Sequence, residues 1–171
     1  MKLMICAAAS ALTLAALPMT AGAQSTDHQQ AAAAYQAAQG QWEAGQQAYL
    51  EWNGQRRGWS TTESGLQYRR VGKAQPDAPQ PTETDTVMVH YAGTLINGTE
   101  FDSSFKRNEP TSFPLNRVIK GWTEGVALMR EGETFEFAIP ADLAYGARRM
   151  GNDIPSNSTL LFTVQLIKVN P

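Results

Sequence analysis

"TVMVHYAGTLINGTEFDSS" occupies residues 86–104. Val87, Val89 and Tyr91 alternate with Met88, His90 and Ala92, the two-residue period of a half-buried strand. Asn97-Gly98 is a tight-turn signal, and "EFDSS" (100–104) reads as the strand that returns. A hairpin of this kind commits the region to an antiparallel sheet. The stretch also raises a chemical question, because the carboxylate of Asp102 precedes the hydroxyls of Ser103 and Ser104.

Further elements follow on either side. "SGLQYRRVG" (64–72) reads as a strand, and "AQPDAPQPTETD" (74–85) as a proline-rich polar connection. "ETFEFAIP" (133–140) sets Phe135, Phe137 and Ile139 on one side, and "STLLFTVQLIKV" (158–169) aligns Leu160, Phe162, Val164 and Leu166. "NRVIKGWTEGVALM" (116–129) places Val118, Ile119, Trp122, Val126 and Met129 on one helical face despite two glycines. The expectation is an α+β fold: a mainly antiparallel sheet of about five strands, with one short helix packed on its concave face.

Two segments precede this domain. Lys2 is followed by an apolar run from Leu3 to Leu17, then Pro18 and the small-x-small pattern Ala21-Gly22-Ala23. This is the pattern of a signal peptide over 1–23, too short for a membrane span, and it directs the chain to the periplasm or bacterial envelope. An uncleaved anchor is the alternative. Cys6, the single cysteine of the 171 residues, lies within that run, so cleavage leaves no thiol for disulfides, catalysis or metal. Residues 24–60 read as a helical segment with Asp27 as N-cap. Tyr35, Trp42 and Tyr49, with Ala38, Gly45 and Trp52 between them, form a stripe that packs on the protein's own domain or on a second copy. Residues 61–171 form the globular domain.

Loss of Lys2 with the leader leaves 13 basic against 16 acidic residues, a net charge of −3, which argues against a nucleic-acid partner. The two histidines, His28 and His90, have no second imidazole at ligand spacing, so no metal site is expected. A serine hydrolase needs a base between acid and nucleophile. His90 is the sole candidate in the domain, it faces away from Tyr91, and no Gly-x-Ser-x-Gly elbow exists. The glycines of "GVALMREG" and "GARRMG" fit no phosphate-binding pattern. The aromatic set Tyr91, Phe101, Phe113, Trp122, Tyr145 and Phe162 reads on composition as core.

The order of the motifs adds to this. "VHYAGTLINGTEFDSS", "FPLNRVIKGWTEGVALMREGE", "IPADLAYGA" and "IPSNSTLLFTVQLI" together resemble the FKBP-type peptidyl-prolyl cis-trans isomerases, nearly continuously from Thr61 to Asn170. The leader and "AYLEWNGQRRGWSTTESGLQY" are similar to the exported Mip-like branch. The resemblance implies a twisted sheet wrapped around one short helix. It implies a pocket with Tyr91, Asp102 and Tyr145 as catalytic residues and Phe101, Val118, Ile119, Trp122 and Phe162 as substrate-binding ones, without cofactor or metal. Substrates would be proline-containing unfolded or folding polypeptides of the envelope, and macrolide inhibitors of the family would be possible ligands. A non-catalytic chaperone that holds unfolded clients is the rival reading. The branch often dimerises through its N-terminal helices, but the short 24–60 segment does not favour a homodimer. Thr111 stands where an aromatic is common, and Met150 and Asp153 occupy the flap, which implies altered sequence preference and inhibitor affinity. A regular strand sends Phe101 and Asp102 to opposite faces, so their presence in one pocket requires a bulge in that strand.

Overall fold

The structure, a computed structural model, describes residues 21–171, with side chains from residue 29. The apolar leader with Cys6, and the side chains around Ala23 and His28, lie outside the described residues. Helix α1 spans Ala21–Gly54. It runs through Asp27, which therefore is not its N-cap; alanine on both sides favours continued helix.

The chain divides after Ala38. In the first unit, Tyr35 on α1 is largely exposed. In the second, Gln39–Pro171, the packed face of α1 is Trp42, Gln46, Tyr49 and Asn53. Gln46 and Asn53 are buried, whereas Trp52 of the expected aromatic stripe is 57% exposed beneath the Arg56 guanidinium, 4.7 Å from its ring centroid. Polar bonds fix this face. Trp42 Nε1 donates to the Ser156 carbonyl (3.0 Å), Gln46 Oε1 accepts from the Thr159 N–H (2.9 Å), and Asn53 Nδ2 donates to Gln67 Oε1 (2.8 Å). A hydropathy pattern registers apolar residues alone, so glutamine and asparagine in a helix interface escape it.

The sheet is antiparallel and has seven strands. They are β1 (Ser60–Thr61), β2 (Gln67–Val71), β3 (Thr86–Leu95), β4 (Glu100–Ser103), β5 (Thr111–Pro114), β6 (Thr134–Ile139) and β7 (Leu160–Val169), in the order β1-β2-β6-β7-β3-β4 with β5 also on β3. The expected count of about five is thus corrected to seven. The additions are β1, of two residues, and β5, of four. Both are too short to display an alternating pattern, and β5 ends on a proline, which weakens a strand signal further.

Strand β3 organises the domain. One edge pairs with β7 along its length; the other pairs first with β5 (Val89↔Thr111), then with β4 (Ala92↔Ser103). The gap between these partners falls at Tyr91. There the buried Ser104 hydroxyl accepts from the Tyr91 N–H (2.7 Å) and donates to the Tyr91 carbonyl (3.2 Å), standing in for a missing strand partner. The turn is a three-residue loop, with the Gly98 N–H bonded to the Leu95 carbonyl (2.9 Å) and Gly98 at φ +85°, as such hairpins require.

Helix α2 (Ser104–Arg107) follows β4, capped by the Ser103 hydroxyl, which accepts from the Lys106 N–H. Helix α3 (Lys120–Ala127) lies against β6. It is shorter than the expected 116–129, because Leu115–Arg117 form a 3-10 turn and Val118 and Ile119 are extended. Val126 and Met129 join the strand residues Val87, Phe135, Phe137, Ile139, Val164 and Leu166 in one core. The glycines of α3 permit this approach: a Cβ on Gly121 would lie 2.4 Å from Ile139 Cγ2, and one on Gly125 2.7 Å from Phe137 Cε1. Gly121→Ala is therefore expected to destabilise the fold, because overpacking of about 1–3 kcal/mol outweighs the helix gain of up to about 1 kcal/mol. Its denaturation midpoint in urea should fall; a rise would contradict the close packing.

Candidate active site

A cavity of about 750 Å³ opens between α3, the bend of β4, β5 and the flap that follows Tyr145. Trp122, 5% exposed, is surrounded edge-on by Tyr91 (centroids 5.3 Å apart), Phe113 (5.2 Å) and Phe162 (5.1 Å), and Phe101 meets Phe162 at 5.5 Å. Edge-to-face contacts suit the ring quadrupoles and leave a rigid, apolar floor. Val118 and Ile119 complete one wall, and Tyr145 stands at another. The cavity thus brings together Tyr91, Asp102, Tyr145, Phe101, Val118, Ile119, Trp122 and Phe162.

Phe101 and Asp102 share the cavity because β4 is bulged. Gly93 pairs with Asp102 and Thr94 with Glu100, so Phe101 is the extra residue in the ladder. The bulge turns two neighbouring side chains to one side. Gly93 makes room opposite, since a Cβ there would lie 2.6 Å from Phe101 and 2.7 Å from Phe162.

Asp102 belongs to a polar triad. The Tyr91 hydroxyl donates to Asp102 Oδ2 (2.5 Å), Arg107 Nη1 donates to Asp102 Oδ1, and Arg107 Nη2 donates to the Tyr91 oxygen (3.1 Å). Burial raises the Asp102 pKa, but the hydrogen bonds from Tyr91 and Arg107 and the guanidinium charge outweigh it, and the carboxyl sits below its ordinary range. Burial, reinforced by Asp102, holds the Tyr91 phenol above its ordinary value. A carboxyl with a lowered folded-state pKa contributes stability above its unfolded pKa of about 4, and that contribution is lost as pH falls through the folded value. Asp102→Asn is therefore expected to flatten the decline in stability below about pH 4. Urea unfolding over a pH series measures this, and an unchanged slope would refute the pairing.

The serines do not act as nucleophiles. Ser103 caps α2, and Ser104 is fully buried in the β3 gap. His90 Nδ1 lies 2.9 Å from Ser104 Oγ, and its ring stacks on Phe105, outside the cavity lining. No cluster of metal-ligating side chains occurs among the described residues. At the mouth, neither the Ile119 N–H nor the Tyr145 hydroxyl has a hydrogen-bond partner among the described residues, while the Ile119 carbonyl accepts from Trp122 and Thr123 to begin α3. Thr111, Met150 and Asp153 all line the cavity.

Phe113, Arg117, Lys120 and Arg148 also line the cavity, and Arg107 binds Asp102, although the sequence did not mark these five as site residues. Phe113 alone carried a signal, as a member of the aromatic set and the first residue of the motif at 113–133. Arg107 reaches Asp102 only through the turn of α2.

An antiparallel sheet with α3 packed against it thus carries an apolar cavity lined by aromatic rings and bordered by the Tyr91–Asp102–Arg107 triad. The chain belongs to the FKBP-type peptidyl-prolyl cis-trans isomerase family, whose model matches residues 78–167. The model of the domain amino-terminal to such isomerases matches residues 6–69. The FKBP-type 22 kDa peptidyl-prolyl cis-trans isomerase of Escherichia coli K12 is 50% identical over 121 residues, covering 71% of this chain and 58% of that protein. The outer membrane protein MIP of Legionella longbeachae is 45% identical over 122 residues, covering 71% and 52%. The chain thus spans little more than half the length of these relatives. The crystal structure of FkpA from Escherichia coli matches with a TM-score of 0.72 at 38% identity, covering 91% of this chain and 74% of that one. Among the described residues, no helix is long and apolar enough to cross a membrane.

Proposed function

We propose that this chain accelerates cis-trans isomerisation of X–Pro bonds in exported polypeptides, by a non-covalent mechanism. The observation that carries the reading is the apolar cavity built edge-on around Trp122, with an N–H at Ile119 and a hydroxyl at Tyr145 beside it that meet no partner among the described residues. The amide resists rotation with a barrier of roughly 18–20 kcal/mol, because resonance keeps it planar. At the twisted transition state that resonance is lost, and the carbonyl is less negatively polarised. Water stabilises the polar planar amide; a dry aromatic cavity favours the twisted form relative to it.

Trp122, Phe101, Val118, Ile119 and Phe162 enclose the proline ring. The Ile119 N–H and the Tyr145 hydroxyl donate to the neighbouring peptide carbonyls and hold the chain across the cavity. Tyr91 and Asp102 form the polar wall beside the rotating bond. Since Arg107 and Tyr91 already engage the carboxylate, Asp102 acts by fixing the Tyr91 ring and the field at that wall, without proton transfer. Export is read from the leader pattern and accords with the similarity to the outer membrane protein MIP of Legionella longbeachae.

A protease-free isomerisation assay on an Ala-Leu-Pro-Phe peptide tests the proposal. The full chain should raise the exchange rate in proportion to its concentration, and a macrolide inhibitor of the family should suppress that rise. Exchange at the uncatalysed rate would overturn the reading in favour of a holding chaperone.

A further inference from the structure

We infer that the cavity mouth selects proline segments with an acidic side chain beside the proline, an inference that rests on the isomerase reading above. Three cations, Arg117, Lys120 and Arg148, line the cavity. The lining acids are Asp102 and Asp153, and the charge of Asp102 is already met by Arg107. None of the three cations belongs to the four ion pairs among the described residues, and none donates a side-chain hydrogen bond there. All three are exposed.

Their neighbours make the placement informative. Arg149, beside Arg148, donates to the carbonyls of Gly151 and Asn152, so one arginine of the pair fixes the flap and the other is left in the cavity. Lys120 is the first residue of α3, whose first turn contains no acid. The positive end of a helix favours carboxylates at that place, so helix stability does not account for a lysine there. The mouth carries this positive excess although the whole chain has a net charge of −2. An acidic side chain flanking a bound proline would lie within a Debye length, about 8–10 Å, of these groups. Exposed pairs each contribute a factor of about 1.5 to 5.

The test is kcat/KM for Ala-Xaa-Pro-Phe peptides with Xaa as Glu, Gln or Lys, and for peptides with the same substitutions after the proline, in a protease-free assay. At low ionic strength the Glu peptide should exceed the Lys peptide by about fivefold or more at one of the two positions, and the ratio should contract towards one at high salt. Charge reversal in the variant R117E/K120E/R148E should invert the ratio. Arg148→Gln, a milder change on the flap, should reduce it. Turnover of the Gln peptide with a Glu/Lys ratio near one at both positions overturns the selectivity and leaves the isomerase reading standing. A ratio that survives charge reversal overturns the assignment to these residues. Failure of every peptide overturns both.

Discussion

Trp122→Ala is expected to lower stability by about 3–5 kcal/mol and to reduce kcat/KM for an X–Pro peptide by at least about tenfold, equivalent to about 1.4 kcal/mol of transition-state stabilisation. The indole is 5% exposed and touches Tyr91, Phe113 and Phe162 edge-on. Its removal leaves a cavity that the surrounding elements cannot close, and it admits water where the proposed mechanism needs a dry surface. Trp122→Phe separates the two effects, since it keeps most of the packing but less of the floor. Denaturant unfolding reads the first effect and the isomerase assay the second. A Trp122→Ala protein with full activity would show that the aromatic floor has no part in the reaction.

Gly93→Val should abolish most activity without removing any group from the cavity. The position lies on β3 opposite the β4 bulge, and even a Cβ there comes within 2.6 Å of Phe101 and 2.7 Å of Phe162. Both contacts are with aromatic rings packed against each other at 5.5 Å, so neither ring moves alone. Valine forces them into the space proposed for the proline ring, and overpacking costs about 1–3 kcal/mol of stability besides. The expected signature is a raised KM for the peptide in a protein that still unfolds cooperatively. Wild-type kinetics in Gly93→Val would mean that the rings yield elsewhere and that the close approach does not set the cavity's shape.

Both predictions depend on contacts that the chain's pattern suggested unevenly. Alternation from Thr86 to Leu95 marked β3 to the residue, because one face of that strand is buried. The turn at Asn97-Gly98 was legible because a positive φ is needed there. Strand β5 was not legible: four residues ending on proline carry too little period, and with it went Phe113, which that strand delivers to the Trp122 ring. The packed face of α1 was only partly legible: Trp42 and Tyr49 of the expected stripe lie on it, but its buried members are Gln46 and Asn53, whose worth lies in specific hydrogen bonds and leaves no trace in hydropathy.

The opening stretch divides the same way. By itself the sequence determined an antiparallel hairpin, a domain without thiols or a histidine pair for metal or hydrolytic chemistry, and, through its ordered motifs, the resemblance whose implied pocket demanded a bulge near Phe101. Tertiary structure alone decided what Asp102 and the serines do. Asp102 meets Tyr91 and Arg107 because α2 folds back over the end of β4, and Ser104 completes β3 where β5 gives way to β4. Such roles depend on which backbone groups are left unpaired and which charges converge. Residue spacing along a strand does not encode them, because the partners come from elements that are joined only when the sheet closes.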